Sequence, residues 1–398
     1  MIRDCLQGLS VLDFTQIGAG PTCTMMLADF GADVIKVEPP AGDVGRQLGP
    51  PWYGAHSAVF VAFNRGKRSI GLDLKQQAGR DVARRLALQA DILVESFRPG
   101  VMDGLGLGYA ALSAECPKLV YCAVSGFGQT GPKANEPGVD GILQAASGLM
   151  GLIGDEVAGP CKVQAPIVDV STGYIATTAV LAAVVERTRT GRGSYLDVSL
   201  LATAVALQTS ALTGYLGDGQ QPLRIGSAAP YSAPNEAFQA ADGWVMVAAY
   251  IGDRWHRLCQ MLGLPELVDD ARFNTSSNRV RNRPAMRAAL APSFARQTCG
   301  ELIARLKAAD IPCSKVADYP DLMEDPQVAH LGMVVAMDHA GDGRFRTVGQ
   351  PINAREANAV TFAPPPRAGE HARSVLDGAG YAAEEIEVLL ASGAVRAG

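Results

Sequence analysis

The first 125 residues repeat one pattern, and that pattern narrows the fold more than any other feature of the chain. Leu9–Phe14 reads as a buried strand, Gly18-Ala19-Gly20-Pro21 as a turn with proline at the first helical position, and Ala32–Glu38 as the next strand. Gln76–Ala90 then reads as an amphipathic helix, Asp91–Phe97 as a strand and Arg98-Pro99-Gly100 as a turn. A helix near Ala110–Ala114 and a strand over Leu119–Gly126 follow. Strands separated by helices pair in parallel, so the chain is expected to build an α/β, doubly wound, parallel Rossmann-like sheet. Such a sheet binds its ligands beyond the carboxyl ends of its strands.

A strand, a Gly-rich turn, a helix and a strand ending in an acid outline a dinucleotide fold. The phosphate-binding fingerprint is incomplete, because Cys23 occupies the position of its third glycine and Pro21 intrudes at the helix entrance. The pattern therefore predicts the fold and not NAD.

Composition removes further classes. A net charge of −5 gives no general attraction for nucleic acid or an anionic membrane. Any phosphorylated ligand then needs a local basic cluster, and Asn64-Arg65-Gly66-Lys67-Arg68 supplies a candidate, with Lys75 beyond it. A solvated charged loop is the plainer fate of such a run. Eight cysteines without a Cys-x-x-Cys pair, and five scattered histidines, indicate neither a disulfide framework nor a zinc or other metal site. The first residues do not read as a secretory signal, and the apolar run within Tyr174–Val185 is short for a bilayer and broken by threonines. A cytoplasmic protein with reduced thiols and no membrane partner is expected.

Past residue 160 the pattern continues with an apolar helix over Ile175–Arg189, a strand Tyr195–Ser199 and a helix from Leu200 to about Tyr215. Gly217–Pro222 breaks it. Glu236–Ala240 and Trp244–Ala249 alternate around Ala241-Asp242-Gly243 as a β-hairpin among helices, which predicts a small α+β domain. A second hairpin is expected around Gly341-Asp342-Gly343, before Ala363-Pro364-Pro365-Pro366. The predicted organisation is a large domain over 1–224 and a small one over 225–328, followed by a further stretch over 329–398.

Two carboxylates stand out between these regions. Asp140 follows a Pro-Gly turn and opens an apolar helix-like run, and Asp169 lies just ahead of a helix expected to begin near Ser171. Local sequence alone reads both as helix caps.

The stretch Pro166-Ile167-Val168-Asp169-Val170-Ser171-Thr172-Gly173 resembles the active-site region of the class III CoA-transferases, the family of formyl-CoA and carnitine CoA-transferases. The resemblance extends to Asn64–Leu72, to Glu95-Ser96-Phe97-Arg98-Pro99-Gly100, and to the tail around Gly369-Glu370-His371, and so spans essentially the whole chain. It implies Asp169 as the nucleophile and Asp140 as a second active-site carboxylate that orients the site or shields an intermediate. It implies CoA contacts from Gln16, Gly18 and Ala19 near the thioester, from Lys67, Arg68, Leu72 and Lys75 toward the adenine and phosphates, and from Ser96, Phe97 and Arg98. It also implies a return of the chain over 329–398 to the large domain, and a homodimer of two chains interlocked as linked rings, with a CoA thioester as substrate and no permanently bound cofactor.

The implied reaction moves CoA from an acyl-CoA donor, such as succinyl-CoA, to a free carboxylic acid. Arg224 is a candidate partner for the far carboxylate of a dicarboxylate, with a surface arginine as the simpler reading. Asp169, with an ordinary carboxylate pKa of about 3.9, would need no base to act as a nucleophile. The related 2-methylacyl-CoA racemases carry a histidine in a Gly-His-Asp sequence where this chain has Gly138-Val139-Asp140, and valine cannot exchange a proton. Racemase or epimerase is the alternative, and a non-catalytic CoA-binding protein is a third reading. Gly226-Ser227-Ala228-Ala229-Pro230 stands where formyl-CoA transferases have a glycine run, which argues against formate or oxalate as acceptor.

Overall fold

The computed structural model describes residues 4–54, 56–352 and 362–398. The chain forms two compact units, one of Met1–Leu149, Lys162–Thr209 and Gln327–Gly398, the other of Met150–Cys161 and Ser210–Pro326. The second unit therefore starts earlier than residue 225, and it also takes in the small hairpin of Gly154–Asp155 and Gly159–Pro160.

Seven strands form the central sheet of the first unit: β1 (Ser10–Phe14), β2 (Asp33–Glu38), β3 (Lys67–Leu72), β4 (Ile92–Glu95), β5 (Val120–Ser125), β6 (Tyr195–Ser199) and β7 (Val395–Arg396). Their order is β6-β5-β4-β1-β2-β3-β7, parallel except for β7, which runs antiparallel to β3 at the edge. The helices that matter here are α1 (Ala19–Asp29), α2 (Gln77–Gln89), α3 (Asp140–Ala146), α4 (Ile167–Thr190) and α5 (Leu200–Ala206).

Side-chain alternation along the strands sends residues to two separate cores. Leu12, Phe14, Ile70, Leu93 and Tyr121 pack with α2 and with Val375 and Leu376 of the C-terminal helix Ala372–Gly378. Val11, Val34, Val94 and Cys122 pack on the other face with α1, α4 and α5. Covering both faces is what a parallel sheet requires, since its strands bury apolar side chains on each side.

On that second face α1 and α4 lie in close contact because Gly173 has no side chain. A Cβ there would fall 2.5 Å from Thr22 Cβ and 2.7 Å from the Ala19 carbonyl oxygen. Helix α4 is 24 residues long, longer than its apolar run suggested, and by length and apolarity it is sufficient to cross a membrane. It buries Val168, Thr172, Ala176 and Val180 against the first unit.

The second unit contains the expected antiparallel hairpin, Asn235–Ala240 with Gly243–Ala248, extended by Cys313–Lys315. It packs on helices through Phe238, Trp255, Leu258, Leu290 and Leu302. Glu236 is fully buried there and is neutralised by Arg283 and Arg287. Arg224 belongs to this unit, and its Nε is buried without a hydrogen-bond partner among the described residues. The second predicted hairpin forms as Val334–His339 with Gly343–Val348 in the first unit. The helix expected from Leu200 to Tyr215 forms instead as two, α5 and Thr209–Asp218.

Candidate active site

The chain leaves β1 in one direction to form β2 and β3, then returns to the other side of β1 to form β4, β5 and β6. The loops after β1 and β4 therefore part from each other at their carboxyl ends and open a crevice. A pocket of about 330 Å³ occupies it, lined by Gln16–Gly20 after β1, Ser96–Arg98 after β4, Ser125 and Gly126 at the end of β5, Gly138, Val139, Leu200 and Asp169. A second pocket of about 510 Å³ meets it at Gln16 and Phe97, and runs past Glu38–Ala41 to Leu72 and Lys75.

Asp169 sits in the first turn of α4, which starts at Ile167 rather than at Ser171. It therefore does not cap the helix. Asp140 does so from α3: its Oδ2 accepts the N–H groups of Val168 at 2.8 Å and Asp169 at 3.1 Å, and its Oδ1 accepts Gln144 Nε2 at 2.6 Å. Gln144 in turn accepts the Val163 N–H and donates to the Val163 carbonyl, tying α3 to the segment that enters α4. Asp140 is engaged in these bonds and does not line the pocket.

The Asp169 carboxylate is the opposite case. It makes no hydrogen bond to a described residue, and it packs so closely on Gly18 that a Cβ there would lie 2.5 Å from Oδ2. Burial, and then the negative charge of Asp140, push its pKa up to about 7. The site thus raises this carboxyl above the ordinary value expected from sequence.

The backbone facing Asp169 is rich in donors. Helix α1 begins at Ala19, with Pro21 at its third position rather than its first. The N–H groups of Gly18, Ala19 and Gly20 make no hydrogen bond to described residues, as the first turn of a helix leaves them without intrahelical partners.

Of the ten residues expected to contact CoA, eight line these two pockets. Gln16, Gly18, Ala19, Ser96, Phe97 and Arg98 surround the first, and Leu72 and Lys75 the second. Ser96 also fixes the loop after β1, its Oγ accepting the Gln16 N–H at 3.1 Å. Arg98 and Lys75 are exposed and form no ion pair with a described residue.

Lys67 and Arg68 are corrections. They open β3, at the end of the sheet opposite the crevice, whereas Leu72 closes it. Lys67 is buried, with Nζ 3.0 Å from Asp13 Oδ2, 2.8 Å from Asn64 Oδ1 and 3.1 Å from the Pro21 carbonyl. Burial lowers its pKa to about 8 against the attraction of Asp13. Arg68 pairs with Asp33 at the start of β2, with Nε 2.9 Å from Oδ1, and lines a separate cavity with Ser10 and Asp33. Both side chains are thus paired within the protein and neither lines the two pockets of the crevice.

Sequence reading missed Ser125, Gly126, Gly138 and Leu200 in the pocket wall, because they stand at element ends and in a loop with no chemical signature. Val139 stands in the wall at 58% exposure, where a histidine would reach the same space.

A crevice at the switch point of a parallel sheet, holding a half-buried carboxylate beside unbonded backbone donors, is the ligand site of an open α/β fold. The family model of CoA-transferase family III matches residues 6–372, and the chain belongs to that family. It is 35% identical to the succinyl-CoA:glutarate CoA-transferase of Mus musculus over 392 residues, 98% of this chain and 90% of the relative. It is also 35% identical to the succinyl-CoA:mesaconate CoA-transferase of Haloarcula marismortui, over 94% of this chain and 96% of the relative. A CaiB/BaiF family protein from Brucella suis superposes with a TM-score of 0.84 at 35% identity, covering 94% of this chain and 99% of that one. The protein is an enzyme of the CoA-transferase class, acting on CoA thioesters.

Proposed function

We propose that this enzyme transfers CoA from succinyl-CoA to a small dicarboxylic acid, with Asp169 as the covalent nucleophile. The observation that carries the reading is the Asp169 carboxylate, unbonded and pressed against Gly18 in the crevice. The two similar transferases whose names pair succinyl-CoA with glutarate and with mesaconate support the choice of substrates.

In this reading the nucleotide end of CoA follows the longer pocket, with Lys75 near its phosphates, and the pantetheine passes Gln16 and Phe97. The thioester carbonyl then meets Asp169. Ionised Asp169 attacks that carbon and expels CoA thiolate, leaving a mixed succinyl–aspartyl anhydride. The thiolate attacks the aspartyl carbonyl, releases succinate and forms an aspartyl-CoA thioester. The acceptor carboxylate attacks this thioester and frees the thiolate, which then attacks the acceptor's acyl carbon and restores Asp169. The Gly18 and Ala19 N–H groups face the developing oxyanions and supply fixed donors without a reorganisation cost.

A homodimer belongs to the same reading. The exposed apolar side chains Tyr174, Ile175 and Val185 along α4 support it, because a surface so rich in apolar groups is better covered than solvated. The full reading is tested with succinyl-CoA and a panel of glutarate, mesaconate, itaconate, malate and oxalate, scoring each new CoA thioester by mass. Failure of every dicarboxylate while another acyl donor or acceptor reacts would overturn the substrate class.

A further inference from the structure

The loop that carries Gly18 is held in an unfavourable backbone conformation. Ile17 has φ of +68°, a left-handed value that a β-branched residue adopts only when its surroundings impose it. Three side chains from three different segments bind the three consecutive N–H groups leading to Gly18. Asp13 Oδ1 accepts the Thr15 N–H at 2.8 Å, Ser96 Oγ accepts that of Gln16, and Asp43 Oδ1 accepts that of Ile17 at 3.3 Å.

Asp43 is itself braced. Its Oδ2 lies 2.7 Å from Lys36 Nζ, and both side chains are buried. Lys36 also donates to the Thr15 carbonyl at 2.8 Å, so the pair grips the loop at Thr15 and at Ile17. Asp43 Oδ1 additionally accepts the Gly45 N–H at 2.7 Å, and the Asp43 N–H donates to Glu38 Oε2 at 2.8 Å, which fixes the aspartate. A lysine and an aspartate withdrawn from water persist only where each charge is answered. Neither residue lines the pocket.

We propose that Asp43, braced by Lys36, is a positioning residue for CoA transfer: it holds Ile17 in its left-handed conformation so that the Gly18 backbone stays against the Asp169 carboxylate. Without that acceptor the Ile17 peptide relaxes toward negative φ and carries the Gly18 and Ala19 N–H groups out of line. The CoA-binding wall at Leu72 and Lys75 is untouched by this change. The proposal rests on Asp169 being the nucleophile, and it predicts a defect in kcat rather than in binding.

The experiment compares wild type, Asp43→Ala, and Asp43→Ala with Ile17→Gly, using succinyl-CoA and glutarate as probes. Asp43→Ala is expected to lower kcat by about tenfold to about 100-fold, with KM for succinyl-CoA changed by less than about twofold. Ile17→Gly in that background removes the side-chain clash at positive φ and is expected to recover part of kcat. The same recovery is read in an Asp43→Asn background if Asp43→Ala does not fold. Hydrogen exchange over residues 15–20 should quicken in the Asp43 variant, and not in Asp29→Asn, which weakens the buried Arg65 pair away from the loop. No recovery with Ile17→Gly, or unchanged exchange in residues 15–20, overturns the proposal. Failure of the nucleophile reading shows separately, as absence of hydroxylamine-trapped Asp169 in wild type, while the exchange result stands on its own.

Discussion

Asp140 holds Asp169 through the backbone and opposes it through charge. Its Oδ2 accepts the Asp169 N–H at 3.1 Å, and its negative charge is the second cause, after burial, of the raised Asp169 pKa. One carboxylate thus places the other and sets the pH range in which it is ionised.

Asp169→Asn should fold and bind CoA yet lose transfer, since an amide cannot form the anhydride. Hydroxylamine trapping of acyl-CoA-treated wild type should modify Asp169 alone. The unfolded carboxyl ionises near 3.8 and the folded one near 7, so wild-type stability falls as pH rises between these values. The Asn variant should therefore melt higher than wild type at pH 8, with the gap closing toward pH 4. Full transferase activity in the folded variant would refute the nucleophile.

Asp140→Asn keeps an acceptor for the α4 N–H groups and removes the charge. For wild type, kcat/KM should fall as pH drops below about 7, following protonation of Asp169 in the free enzyme. In the variant that limb should move to lower pH, because a carboxylate loses a like-charged neighbour. Asp140→Ala should in addition cost about 0.5–2 kcal/mol through the lost cap, read by denaturant melting. An acid limb that does not move in Asp140→Asn would remove Asp140 from the electrostatics of the site.

Gly18→Ala tests the close contact directly. A Cβ at Gly18 would meet the Asp169 carboxylate first, with Oδ2 2.5 Å away. Transfer should fall by about 100-fold, in line with a 1 Å misplacement of a reacting group, while the melting temperature changes little. Transfer at the wild-type rate would mean that the contact is not kept during the reaction.

The two lysines of the Lys67–Lys75 segment should behave differently. Lys67→Glu places a second acid against Asp13 inside the protein, so soluble folded yield should collapse. Lys75→Glu should fold normally and weaken CoA binding, with an effect that shrinks as salt rises. Calorimetric titration with CoA at two ionic strengths decides it, and unchanged affinity in Lys75→Glu would return Lys75 to the solvated surface.

Racemisation should be absent. Wild type incubated with a chiral 2-methylacyl-CoA in deuterated water should incorporate no deuterium at the α-carbon, because Val139 supplies no second base at the pocket wall. Exchange at a rate comparable to transfer would reopen the racemase reading.

What the sequence determined by itself was periodicity and local chemistry. Alternating strands and helices specified the parallel sheet, and the Asp-Gly turns specified both hairpins, because these depend on side-chain period and on backbone freedom at a few residues. The segment around Asp169 pointed, through its resemblance to a family, to a carboxylate that lines the crevice. Tertiary structure alone decided which charges face a ligand. Lys67 and Lys75 are eight positions apart and both looked suited to phosphate, yet Lys67 opens β3 beside Asp13 and Asn64 while Lys75 follows its far end. Lys36 in β2 and Asp13 in β1 form buried pairs with Asp43 and Lys67, partners in other segments that pattern reading cannot bring together. The Asp169 pKa belongs to the same category. It depends on how much water and which neighbouring charge surround the carboxylate, and α3, α4 and the loop after β1 set both only once they have packed.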